Sequence, residues 1–280
     1  MTALGIALGL LSAAVFGVAA VVQAQAVRGF DDSPDGLWGF VSRSVRDGRT
    51  MAVVAAYLVG FVLHAAAIWL LPLYLAQAMV AMSLPVTAVA SRRVEDDLHR
   101  TGWVAVGVVT VGLVLLSLGA GEPGEVQHTA RFAVALWAGV VALCAASIAV
   151  RHLAGPLLGL LAGLGYAGSA VSVRGIGTPV SGVVAVAALA VPAFGLVAFW
   201  LYSLGMHRAA VPSTTASLIV AQTFVPAAVG VALLGDGVRD GWWPGVALGL
   251  LLATAGAAVL GVSRGQKSRE LGEALNDASR

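Results

Sequence analysis

The chain has 280 residues, of which 59% are hydrophobic and only 11% charged, with a mean hydropathy of +0.92 and a formal net charge of +2. A water-facing domain carries roughly 25% charged residues, so this composition excludes a soluble fold and assigns the chain to a bilayer. The single cysteine, Cys144, excludes an internal disulfide and a cysteine metal cluster, and the scattered basic residues form no face for nucleic acid.

A transmembrane helix needs about 20 mostly apolar residues. In chain order the sequence predicts nine: 4–27, 51–70, 72–91, 102–120, 132–150, 154–173, 180–202, 210–234 and 242–262. The first lacks a basic n-region and reads as a retained span rather than a leader. The linker 28–50 is the longest loop, and its FDDSPDGLWGFVSRSVRDGR stretch fits either a surface-lying amphipathic segment or a solvated loop. The tail 264–280 is polar.

Basic residues set the orientation, because loops rich in Lys and Arg stay in the cytoplasm. One set of alternate loops holds Arg28, Arg43, Arg46, Arg49, Arg92, Arg93, Arg100, Arg151, Arg208, Arg264, Lys267, Arg269 and Arg280. The other holds Arg131, Arg174 and Arg239, which completes the 16 Lys and Arg of the chain. The bias predicts a multi-pass protein of the inner (plasma) membrane, with the N-terminus outside and the C-terminus in the cytoplasm.

An internal repeat organises these spans. SLPVTAVASRRVEDDLHRTGWVAVGVVTVG in the first half returns as FVPAAVGVALLGDGVRDGWWPGVALG in the second. Pro85 matches Pro226, Glu95 matches Asp236 at the same ten-residue offset from proline to acid, and Trp103 matches Trp242 or Trp243. LGLLSAAVF at 8–16 resembles LGLLAGLGY at 158–166, and Trp69 matches Trp200. The predicted fold is therefore an all-α integral membrane protein with two inverted four-helix repeats. Helices 1–4 lie within 1–120, helices 6–9 within 154–263, and helix 5, within 121–153, stands between them. An inverted repeat places a binding site near the midplane, where the halves meet.

These motifs resemble the drug/metabolite transporter superfamily, with its EamA-like repeats of a proline-bearing helix, a short acidic loop and a Trp/Gly-rich helix. The nine-helix layout with a long first loop is closest to the branch similar to eukaryotic magnesium transporters, the NIPA type. That branch carries a Gly-Glu pair in its second helix, and the matching place here is Gly60-Phe61. The resemblance implies a transporter, not an enzyme, working by alternating access without a cofactor.

All 14 acids lie outside the predicted spans. Intramembrane charges mark proton relays and cation sites. Their absence points to a small neutral, zwitterionic or amphipathic metabolite held by amides, hydroxyls and rings, with no metal ligands. The candidate substrate-binding residues are His64, Gln77, Gln222, Tyr57, Tyr166 and Thr223, since polar groups inside a bilayer must face protein or water. Pro85 and Pro226 are the candidate kinks, because each frees a carbonyl one turn back. Trp69 and Trp200 fit interfacial anchors. The alternatives are a magnesium or other cation carrier and, from a different class, a lipid or polyprenyl-carrier flippase or a non-transporting membrane subunit. The expected partners are a small-molecule substrate and the lipid bilayer, and the fold admits a homodimer.

Overall fold

The computed structural model describes residues 2–28, 39, 42, 45–90, 100–208, 211–256 and 258–259. Most of the linker 28–50, the acid Glu95, the end of the ninth predicted span and the tail 264–280 lie outside the described residues. The described chain is all-helical, and its one β feature is an isolated antiparallel bridge between Ala120 and Val238. Helices dominate because a backbone in hydrocarbon must satisfy its own N–H and C=O groups.

The helices are α1 (Thr2–Arg28), α2 (Gly48–Leu70), α3 (Leu73–Val80), α4 (Ser83–Ala90), α5 (Arg100–Leu118), α6 (Ala130–Val150), α7 (Gly155–Val173), α8 (Gly182–Arg208), α9 (Val211–Leu233) and α10 (Trp243–Gly256). Among the described residues five helices, α1, α2, α6, α7 and α8, are long and apolar enough to cross a membrane, and four further apolar stretches, Leu73–Thr87, Trp103–Leu116, Ser217–Leu233 and Trp243–Gly256, are shorter. Local chemistry marks several ends. Asp47 caps α2 by accepting from Thr50 N at 2.8 Å, and Thr129 caps α6 by accepting from Phe132 N at 3.2 Å. Pro156 sits in the first turn of α7, where a missing N–H costs nothing.

Pro85 and Pro226, the two candidate kinks, behave differently. The third predicted span is broken into α3 and α4 at Ala81–Met82, where the N–H groups fall back to Ala78 O and Met79 O at 3.0 Å each. Pro85 explains the break, because it has no N–H for the Ala81 carbonyl and its ring crowds that oxygen. Pro226 lies inside an uninterrupted α9, and Pro192 inside an uninterrupted α8.

The bundle buries polar side chains within a largely apolar core and exposes large apolar ones. Leu58, Val62, Val134, Val141, Ile148, Leu189 and Leu251 are largely exposed, whereas Ser12, Gln23, His64, Gln77, Thr87, Ser169, Thr214, Thr215 and Gln222 are buried. A soluble helix shows the opposite pattern; this one suits lipid. Within the bundle α1 packs on α2, α3 and α4, α7 packs on α8 and α9, and α9 packs on α3. Small residues permit the closest crossings. A Cβ on Gly112 of α5 would lie 2.7 Å from Gly249 O of α10, and a Cβ on Gly163 of α7 would lie 2.7 Å from the Ala221 Cβ of α9.

Candidate functional site

Two buried polar clusters stand out. The first lines a cavity of about 70 Å³ between α1, α2, α3, α4, α7, α8 and α9. A volume of ~10–15 Å³ accommodates one water, so several fit, whereas a typical metabolite pocket is roughly 300–1,000 Å³. Neighbouring helices must separate before a metabolite can occupy it.

His64, Gln77, Gln222, Tyr57 and Tyr166 all line this cavity. His64 and Gln77 form its polar centre. Gln77 Nε2 lies 2.9 Å from His64 Nε2. With the amide in this orientation its nitrogen donates, so His64 Nε2 accepts and the ring proton of the neutral imidazole sits on Nδ1. Nδ1 is buried and has no partner. An imidazolium would be an uncompensated charge here, because no carboxylate is among the described lining residues. The Tyr166 hydroxyl is also buried without a partner.

Several other polar groups of the wall are engaged. Tyr57 Oη donates to Gln23 Oε1 at 2.7 Å, and Gln23 Nε2 donates to Ser203 Oγ at 2.8 Å, which links α2, α1 and α8. Tyr202 Oη and Thr215 Oγ1 share a hydrogen bond of 2.6 Å. Thr87 Oγ1 reaches Ser83 O at 2.7 Å and Gly17 O at 3.1 Å. Rings complete the lining. Phe16 stacks on Tyr57 with centroids 5.7 Å apart and meets His64 edge-on at 6.4 Å.

Thr223 follows Gln222 in α9 and, roughly 100° further round the helix, falls outside the cavity lining. It is fully buried and its Oγ1 has no partner. Pro85 lies between the lining residues Ser83 and Thr87. Pro226 is one turn beyond Gln222 and removes the N–H that would otherwise bond the Gln222 carbonyl. Of the two tryptophans, Trp69 is 49% exposed and suits an anchor. Trp200 is only 4% exposed, with Nε1 unpartnered, so it sits in the core rather than at a lipid interface.

Sequence reasoning missed Phe16, Phe61 and Tyr202 on the cavity wall. For Phe16 a signal existed, because the 8–16 and 158–166 stretches set Phe16 opposite Tyr166, and both rings line the cavity. For Phe61 and Tyr202 no comparable pattern is present.

The second cluster was invisible in the sequence, where Arg174 and Asp236 read as loop charges. They form an ion pair of 2.8 Å with side chains 2% and 0% exposed. Gly235, at φ 77°, turns the chain in the left-handed region after α9 and brings Asp236 back over the helix end. Asp236 then accepts from Leu73 N at 2.6 Å, capping α3, and from Gly124 N at 2.7 Å. Arg174 donates to Gly124 O at 2.8 Å and Leu71 O at 3.2 Å. Burial pulls the Arg174 guanidinium below its ordinary value, and Asp236 opposes that shift. The pair thus staples four connections, 71–72, 119–129, 174–181 and 234–242, at one end of the bundle. At the opposite end Arg208 Nη1 donates to Arg151 O and, at 3.4 Å, to Leu153 O.

Among the described residues no group of three or more His, Cys, Asp or Glu is placed to hold a metal ion. Comparison with family models, with curated proteins and with solved structures gave no match to this chain.

Proposed function

We propose that the chain is a plasma-membrane transporter of the drug/metabolite kind, moving a small uncharged, zwitterionic or amphipathic metabolite by alternating access between two inverted four-helix repeats. The observation that carries this reading is the central cavity. Its polar groups come from both halves of the chain: His64 and Gln77 from the first, Tyr166 and Gln222 from the second. A cavity formed where repeats meet is the place for a substrate in such folds.

Three features support the inverted arrangement. The five long helices and the four shorter apolar stretches accommodate nine crossings. Helices α5 and α10, fourth in their respective repeats, pack antiparallel: Gly119 faces Val246, Gly112 faces Gly249 and Ala253, and Val109 faces Gly256. A two-fold axis along the membrane normal would make equivalent helices parallel. Finally, α1 packs on α2, α3 and α4 as α7 packs on α8 and α9.

In this reading the stapled end faces outside, since it carries Arg131, Arg174 and Arg239, the poorer set of basic residues. The molecule is then closed to the outside by the Arg174–Asp236 pair. The direct packing of α3 on α9 supports a substrate arriving from an aqueous end over a lipid entering sideways between those helices. The absence of carboxylates from the described cavity lining supports a metabolite over a magnesium ion, which needs oxygen ligands of high charge.

The test is sided labelling. In a Cys144→Ala background, Ser83→Cys places a thiol on the cavity wall. A membrane-impermeant maleimide should reach it from either side, while a mutant locked by cross-linking the stapled end reacts from the cytoplasm alone. A thiol that never reacts from either side contradicts alternating access. A reporter fused after Arg280 should read cytoplasm, and one inserted at 122–128 should read outside.

A further inference from the structure

The cavity that the proposed function rests on also has a chemical sign. Two fully buried polar atoms of its lining residues have no partner, His64 Nδ1, on a residue only 5% exposed, and Tyr166 Oη, and the Gln222 amide on the same wall adds a donor and an acceptor. Because Nε2 accepts from Gln77, Nδ1 presents a proton; the Tyr166 hydroxyl presents another. Both groups can therefore donate to one acceptor. A buried donor without a partner is unfavourable, and both residues line one small cavity.

Each charge class meets an obstacle. An anion would suit the two donors, but no lysine or arginine is among the described lining residues to offset its desolvation. A cation would find the rings of Phe16, Tyr57, Phe61 and Tyr202, but no carboxylate, and it would face two donors of its own sign. An uncharged molecule with an acceptor meets neither obstacle. The aromatic wall favours a flat unsaturated body, since ring–ring contact adds to apolar burial.

We infer that the site recognises an uncharged planar molecule bearing a hydrogen-bond acceptor, such as an aromatic amide, ketone or azine, with His64 Nδ1–H and Tyr166 Oη–H donating to that acceptor. Gln77 is a positioning residue: its amide fixes the imidazole tautomer that leaves the proton facing the ligand.

The test compares three ring compounds of nearly equal shape, benzamide, benzoate and benzylamine, by isothermal titration against the full-length purified protein at pH 7.5. Benzamide should bind, with benzoate and benzylammonium at least tenfold weaker. Tyr166→Phe, which removes one oxygen and retains the ring, should weaken benzamide roughly three- to tenfold, the equivalent of one hydrogen bond. His64→Leu should weaken it at least as much; if that variant fails to fold, Tyr166→Phe alone decides. Gln77→Glu should lower benzamide affinity, because a carboxylate accepts from His64 Nε2–H and takes the proton off Nδ1, and should raise the affinity for benzylammonium, which then finds the carboxylate that the parent cavity lacks. Tighter binding of benzoate or benzylammonium to the parent protein, an undiminished affinity in Tyr166→Phe, or no benzamide binding at millimolar concentration would overturn the assignment. Sided labelling at position 83 needs no ligand, so alternating access stands or falls independently of this result.

Discussion

The two buried polar clusters of this protein differ in how completely they are satisfied. At the stapled end, the Asp236 carboxylate receives two backbone N–H groups and a guanidinium, and Arg174 donates to two carbonyls besides, with only its Nε left over. In the central cavity, His64 Nδ1 and Tyr166 Oη have nothing. A saturated cluster resists rearrangement as a unit, whereas an unsaturated one is poised for a partner it does not yet hold. Stability should therefore depend on the first cluster and ligand chemistry on the second.

The largest effect is expected from Asp236→Ala. It strands a buried guanidinium and removes the cap on α3, so thermal unfolding of the purified protein should show a loss of about 3–5 kcal/mol. The double variant Arg174→Met with Asp236→Leu sharpens the point. Well-packed apolar replacements of buried ion pairs are often close to neutral, so it should recover at least half of that loss. Recovery in stability without recovery of transport would separate closing the end from merely filling it.

Helix placement was legible in the sequence because lipid imposes it. A backbone that cannot bond to solvent must bond to itself, and hydropathy reads that requirement directly. The interior location of His64, Gln77 and Gln222 was legible for the same reason. What was not legible depends on three-dimensional neighbours. Pro85 and Pro226 are the same residue in similar local sequences, yet the helix breaks just before the first and α9 continues through the second. The Arg174–Asp236 contact joins residues 62 apart across different connections, and nothing in either local sequence announces it. Thr223 shows the limit from the other direction, since its residue type suited the site and its helical phase did not.

An intermediate effect is expected at Gly163, where a Cβ would lie 2.7 Å from the Ala221 Cβ. Gly163→Val forces α7 away from α9 and should cost about 1–3 kcal/mol, measured by the same unfolding assay. Gln77→Leu should abolish transport with a smaller stability change of about 1–2 kcal/mol, because His64 Nε2 loses its donor while the leucine suits its apolar neighbours. The smallest effect on stability is expected from Tyr166→Phe. The deleted hydroxyl has no partner to lose, so stability should stay within about 0.5 kcal/mol of the parent or rise. A large loss there would mean that the hydroxyl is satisfied after all, and the contrast between the clusters would weaken.

The proposed transport cycle has the stapled end close a cavity which the opposite end opens. It is tested most directly by the rate at which Ser83→Cys, in the Cys144→Ala background, reacts with impermeant maleimide from each side, with and without Asp236→Asn. Weakening the staple should speed labelling from the side bearing the 119–129 loop and slow it from the other, because the two openings exclude each other. Rates that stay unchanged from both sides, or that rise together, would contradict it.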